Sequence, residues 1–204
     1  MNRLPNLLTG LRLGLALFVF FGLAAATMLS DRLTPNVQFA LERWAFVAFV
    51  VAAVTDFFDG WLARRWNATT IWGAILDPIA DKVLVCAAVL GLLLLGPNAM
   101  VAIPAALILF REFTVSALRE VTAGRGVSLP VTLLAKWKTT LQLVALGAEL
   151  LAGCWSAFYL PNDPAVMEPA VLSAHALLWL AAAVTLITGA QYLAQARRAL
   201  ADAA

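Results

Sequence analysis

Four aspartates, Asp56, Asp59, Asp77 and Asp81, fall within 26 consecutive positions of a 204-residue chain that is only 13% charged. On a helix, Asp56 and Asp59 are three positions apart and Asp77 and Asp81 are four apart, so each pair projects from one face. Four carboxylates brought together would repel one another. Divalent cations would relieve that repulsion, and all-oxygen ligation suits Mg²⁺ or Mn²⁺ better than zinc. Two such ions about 4 Å apart activate an attacking oxygen and stabilise a leaving phosphate oxygen in phosphoryl-type displacement. Gly60, beside the acids, lets a bulky ligand approach the helix backbone, and Gly73 offers the same further along. Arg64, about one helical turn after Gly60, presents a bidentate fork to a phosphate. The plain alternative is a set of juxtamembrane acids paired with Arg64, Arg65 and Lys82.

The elements that must position these acids are membrane helices. Apolar residues make up 63% of the chain, far above a soluble domain. Residues 13–30 and 83–110 carry no charge, and 169–196 has no Asp, Glu, Lys or Arg, with His175 its one histidine. Gly96-Pro97-Asn98 is turn chemistry that splits the second run into two helices. Two further apolar runs, 39–62 and 131–158, hold acids at membrane depth, where a carboxylate is by default a functional hypothesis.

Six transmembrane helices at about 20 residues each fill most of the chain. The reading is an all-α integral membrane protein, a single domain over 1–204 with a short N-terminal juxtamembrane segment. The second helix runs inward and the third outward, joined near Asn67-Ala68-Thr69-Thr70, which brings both acidic pairs to one end.

Orientation follows from the basic residues. With the N-terminus inside, 12 of the 14 Lys and Arg lie on the inner side, and only Arg32 and Arg43, between the first two helices, lie outside. Both termini and the acids are therefore expected to face the cytoplasm. Arg3, an apolar run and Ala24-Ala25-Ala26 imitate a cleavable signal peptide. The polar segment 5–9 and Arg12 ahead of that run favour a retained helix. A net charge of +2 provides no basic face for nucleic acid, and two cysteines, Cys86 and Cys154, make neither a disulfide framework nor a structural zinc site.

The segment from Asp56 to Asp81 resembles the signature of the CDP-alcohol phosphotransferase family, D-x2-D-G-x2-A-R-x8-G-x3-D-x3-D, and matches all eight fixed positions. The resemblance implies a six-helix membrane enzyme that transfers a phosphatidyl or similar group from a CDP-linked donor to an alcohol, releasing CMP. It implies that Asp56, Asp59 and Asp77 hold two divalent cations. Asp81 would help coordinate them and accept the proton of the attacking hydroxyl. Gly60, Arg64 and Thr70 would contact the CDP group.

The acceptor must be sought among the other basic residues. Arg111 and Arg119 are eight positions apart, about 80° around a helix, so both can border one cavity. Lys136 and Lys138 are two apart, so at most one faces the same way. A cluster of cations near a metal site points to an acceptor that carries its own phosphate; the alternative is that these side chains snorkel to lipid headgroups.

The segments Pro5 to Arg12, Arg111 to Glu120 and Lys136 to Thr140 together resemble the family members that use glycerol 3-phosphate. That resemblance implies attack by the 1-hydroxyl of sn-glycerol 3-phosphate on the β-phosphorus of CDP-diacylglycerol, giving phosphatidylglycerophosphate and CMP for phospholipid biosynthesis. It places Asn6 and Thr9 on the donor near the cytidine, and Arg111, Arg119, Lys136 and Lys138 as candidates for the acceptor phosphate. It further implies a homodimer; the expected location is the bacterial inner membrane, with a mitochondrial or plastid membrane as the alternative. Serine, glycerol, inositol phosphate and phosphatidylglycerol are alternative acceptors, and a divalent-cation transporter is the alternative of a different class.

His175 and Glu149 stand outside these motifs. A lone His in a membrane helix is expected to be a packed, hydrogen-bonded side chain. Glu149 lies about 20 Å beyond Lys136 along its helix, too deep to join the acids, and is expected to make a buried polar contact, with a subunit interface as one setting.

Overall fold

The computed structural model describes the backbone of residues 4–66, 71–126 and 133–202, and the side chains of residues 7–56, 76–126 and 137–201. Among the described residues the secondary structure is all helical: α1 (Leu4–Met28), α2 (Pro35–Trp66), α3 (Ile71–Leu95), α4 (Ala99–Gly124), α5 (Leu133–Gly153) and α6 (Pro164–Asp202), with a short 3-10 turn at Trp155–Phe158. The turn expected at 67–70 lies outside the described residues.

Among the described residues, five helices, α1 to α4 and α6, are long and apolar enough to cross a membrane. The protein is an integral, multi-pass, all-α membrane protein. Large apolar side chains such as Phe21, Phe110 and Leu172 are exposed on its surface, as expected where the surrounding solvent is hydrocarbon. The sixth expected span, α5, carries Lys138 and Glu149, yet both are buried inside the bundle. Its charges are shielded by neighbouring helices, which is how a helix with ionisable groups stays within a membrane protein.

The sequence signals explain several boundaries. Gly96-Pro97-Asn98 does separate α3 from α4, and Asn98 caps α4 by accepting a 2.9 Å hydrogen bond from the Met100 amide. The juxtamembrane segment is the first part of α1, continuous with the span. Arg43, expected in the first loop, instead lies inside α2. It donates to the Ala157 carbonyl at 3.2 Å and sits over the Tyr159 ring, so the turn after α5 gives the guanidinium polar and aromatic partners. Helix α6, with 39 residues, is about 58 Å long at 1.5 Å per residue, well beyond the hydrocarbon thickness.

Helix α1 packs along α2 and α3, α6 packs along α4 and α5, and α3 touches both α4 and α5. Lipid tails are as apolar as the helix faces, so tight van der Waals packing must hold such a bundle. Small residues provide it: Ala16, Ala45, Ala52, Ala88, Ala105 and Ala145 are fully or almost fully buried. At Gly91 of α3 a Cβ would come within 2.5 Å of the end of the Leu23 side chain of α1, so any larger residue there requires Leu23 to move. This tight α1–α3 seam carries the N-terminal residues to the acids.

Candidate active site

Three helix ends meet around the acids. Asp56 lies near the end of α2, Asp77 and Asp81 near the start of α3, and Thr9 and Arg12 one turn apart on α1. Arg12 is almost completely buried, and its Nη1 lies 3.1 Å from Asp56 and 2.8 Å from Asp81. The Thr9 hydroxyl donates to Asp77. Two carboxylates on different helices thus share one guanidinium, which offsets part of their mutual repulsion. Among the described residues no three His, Cys, Asp or Glu side chains are gathered closely enough to hold a metal ion. The side chain of Asp59, the fourth acid of the motif, lies outside the described residues.

Beside these acids opens a cavity of about 360 Å³, lined by residues of α2 to α6, within the usual range for small-molecule sites. Asp56 and Asp81 stand in its wall together with Lys82, Arg111, Arg119 and Lys138. Arg111 is held by α6: its Nε donates to the Thr185 carbonyl and its Nη2 to the Thr188 hydroxyl, both at 3.2 Å. Gly189 makes room for this arrangement, since a Cβ there would lie 2.8 Å from Arg111 Cγ. The guanidiniums of Arg111 and Arg119 both lie over the Tyr192 ring, at 5.8 and 5.9 Å from its centroid. Lys138 bonds to Glu112, and Arg111 Nη1 is 3.6 Å from the same carboxylate. Lys82 donates to Ser116. One cavity therefore has carboxylates able to take a proton and cations able to hold a phosphate.

Residues 2–189 match the model of the CDP-alcohol phosphatidyltransferase family. The chain belongs to this family. A protein of Cereibacter sphaeroides named CDP-diacylglycerol–glycerol-3-phosphate 3-phosphatidyltransferase is 37% identical over 233 aligned positions, covering 98% of this chain and 97% of the relative. Proteins of the same name from Rickettsia bellii and Escherichia coli K12 are 46% and 44% identical, covering 71% and 78% of this chain and 74% and 81% of the relatives.

In this CDP-alcohol phosphatidyltransferase the described site residues fall into two groups. Thr9, Asp56, Asp77 and Asp81 meet where α1, α2 and α3 converge. Arg111, Arg119 and Lys138 line the adjoining cavity. Lys138 is buried whereas its neighbour Trp137 is exposed, so Lys138 is the lysine with a described place at the site. The side chains of Asn6, Asp59, Gly60, Arg64 and Lys136, and the whole of Thr70, lie outside the described residues.

From the sequence Arg12 has no expected role at the site, although its three-residue spacing from Thr9 on one helix face is a usable signal. Glu112 lies within the Arg111 to Glu120 segment but has no assigned role there, and Gln142 and Tyr192 have no sequence signal, because their proximity to the site depends on how α4, α5 and α6 pack. Glu149 and His175 are partners: His175 Nδ1 lies 2.8 Å from Glu149, and its Nε2 lies 3.3 Å from Asn98. The buried contact expected of Glu149 is thus made within the chain.

Proposed function

We propose that this protein transfers the phosphatidyl group of CDP-diacylglycerol to sn-glycerol 3-phosphate, forming phosphatidylglycerophosphate and CMP. The observation that carries the reading is the single cavity that joins Asp56 and Asp81 to Lys82, Arg111, Arg119 and Lys138, four cations of which Glu112 balances one charge. A neutral alcohol has no use for so many cations, whereas an acceptor with its own phosphate needs counter-charge while its hydroxyl reaches the acids. The names of the relatives agree with this choice of acceptor.

In the proposed reaction the 1-hydroxyl of glycerol 3-phosphate attacks the β-phosphorus of CDP-diacylglycerol. A new P–O bond forms to the acceptor, the bond from that phosphorus to the bridging oxygen breaks, and the electron pair leaves with CMP. Asp81 accepts the hydroxyl proton as the attacking oxygen gains phosphorus. Arg111, Arg119 and Lys138, the lysine of the Lys136 and Lys138 pair whose described side chain lines the cavity, hold the acceptor phosphate, while Asn6, Thr9, Gly60, Arg64 and Thr70 bind the CDP end of the donor.

The donor set at the acids suits two divalent cations, Mg²⁺ or Mn²⁺. All its ligands are carboxylate oxygens, and a cationic guanidinium already lies between Asp56 and Asp81. Asp56, Asp59, Asp77 and Asp81 would hold these ions, which when bound supply positive charge to the diphosphate. The same reading places the protein in a bacterial inner membrane as a homodimer, with both termini and the site facing the cytoplasm, where a water-soluble acceptor is available.

The test is direct. Purified protein given CDP-diacylglycerol, Mg²⁺ and labelled glycerol 3-phosphate should place label in lipid and release CMP. Label incorporation from serine, glycerol or inositol phosphate in its place would overturn the choice of acceptor.

A further inference from the structure

Gln142 lies one helical turn after Lys138 on α5, and both side chains are buried and line the cavity. Its carbonyl oxygen, Oε1, is buried and has no hydrogen-bond partner among the described residues. A buried carbonyl left unmet is unfavourable, and a native structure rarely keeps one without a reason. Lys138, one turn earlier on the same face, is turned to Glu112. A ligand in the adjoining cavity that brings a donor to Gln142 would meet this group.

The chemistry of a polyol phosphate limits which of its groups can do so. Its phosphate oxygens are acceptors and suit Arg111, Arg119 and Lys82, which only donate. Its attacking hydroxyl must surrender a proton at the carboxylate end of the cavity. One donor remains, the hydroxyl on the carbon between these two groups.

We propose that Gln142 Oε1 accepts a hydrogen bond from the C2 hydroxyl of the acceptor, making Gln142 a specificity-determining residue. This rests on the reading of the acceptor as glycerol 3-phosphate. The contact distinguishes a three-carbon polyol phosphate from a simple hydroxyalkyl phosphate and fixes which end of the acceptor points at the acids. A site built to bond a hydroxyl leaves its own polar group unmet when the hydroxyl is missing, so the analogue lacking it is rejected.

The experiment uses the full chain in detergent with CDP-diacylglycerol and Mg²⁺, and compares kcat/KM for sn-glycerol 3-phosphate with that for 3-hydroxypropyl phosphate. The two acceptors share the phosphate and the attacking hydroxyl and differ in the C2 hydroxyl. The wild type should prefer glycerol 3-phosphate by about tenfold, the scale of one neutral hydrogen bond. Gln142→Met keeps side-chain length without the carbonyl and should bring the ratio within about twofold, by losing efficiency with glycerol 3-phosphate alone. Gln142→Ala should do the same and serves if the methionine variant does not accumulate.

A purely structural role would lower both efficiencies together and leave the ratio intact, which overturns the proposal. A wild type with no preference between the two acceptors overturns it without any variant. Transfer to neither acceptor refutes the reading of the reaction and this inference with it, whereas transfer to both with an unchanged ratio in the variants refutes only the role of Gln142.

Discussion

The buried guanidinium of Arg12 in α1 lies 2.8 Å from the carboxylate of Asp81 in α3. The same Nη1 is 3.1 Å from Asp56 in α2, so one nitrogen from the first helix joins the acids of the next two. An arginine here is both a packing element and a positive charge where like charges gather. Arg12→Ala should lower stability by about 1–3 kcal/mol, less than the 3–5 of a fully buried pair because nearly half of the Asp81 side chain is exposed. Arg12→Lys keeps the charge but not the planar fork and should recover part of that loss. Thermal unfolding in detergent measures both.

Asp81 is assigned the proton of the attacking hydroxyl. Asp81→Asn should reduce CMP release at least about a hundredfold while the protein still accumulates in the membrane and unfolds cooperatively. An Asp81→Asn variant with wild-type turnover would remove Asp81 from that role.

The site's all-oxygen donors imply dependence on a hard divalent ion. Treatment with EDTA should abolish CMP release, and Mg²⁺ or Mn²⁺ should restore it. Undiminished turnover after exhaustive chelation, verified by metal analysis, would exclude the proposed metal role of Asp56, Asp59, Asp77 and Asp81.

Gly189 controls Arg111 from the neighbouring helix. A methyl group there would lie 2.8 Å from Arg111 Cγ, displacing the side chain from Thr185 and Thr188. Gly189→Ala should cost about 1–3 kcal/mol as an overpacked contact and raise KM for glycerol 3-phosphate more than it lowers kcat. Steady-state kinetics over a range of acceptor concentrations separate the two effects.

The Glu149–His175 contact ties α5 to α6, and Asn98 extends it to the start of α4. His175→Ala leaves the buried Glu149 carboxylate without this partner and should lower stability by about 1–3 kcal/mol. Acceptor KM should not change, because neither residue lines the cavity. A selective rise in KM without loss of stability would place this pair in the catalytic path instead.

The sequence alone determined a good deal. Uncharged runs long enough for a bilayer define membrane helices whatever they pack against, because hydrocarbon leaves the backbone no partner but itself. The helical spacing of Asp56, Asp59, Asp77 and Asp81 is local geometry, and it remains legible because charges are scarce in this chain. Gly96-Pro97-Asn98 was readable as a break for the same reason, since turn chemistry acts over a few residues.

Only the tertiary structure decided which distant groups meet. The seam at Gly91 sets α1 against α3 and so delivers Arg12 and Thr9 to the acids across nearly 70 positions. The packing of α6 on α4 and α5 orients Arg111 through Thr185 and Thr188 and pairs Glu149 with His175. Burial of α5 turns Lys138 and Gln142 toward the cavity while Trp137 faces outward. Helical periodicity states which residues of one helix share a face, but side-chain volumes at the helix contacts decide which face meets which neighbour, and that is a property of the whole bundle.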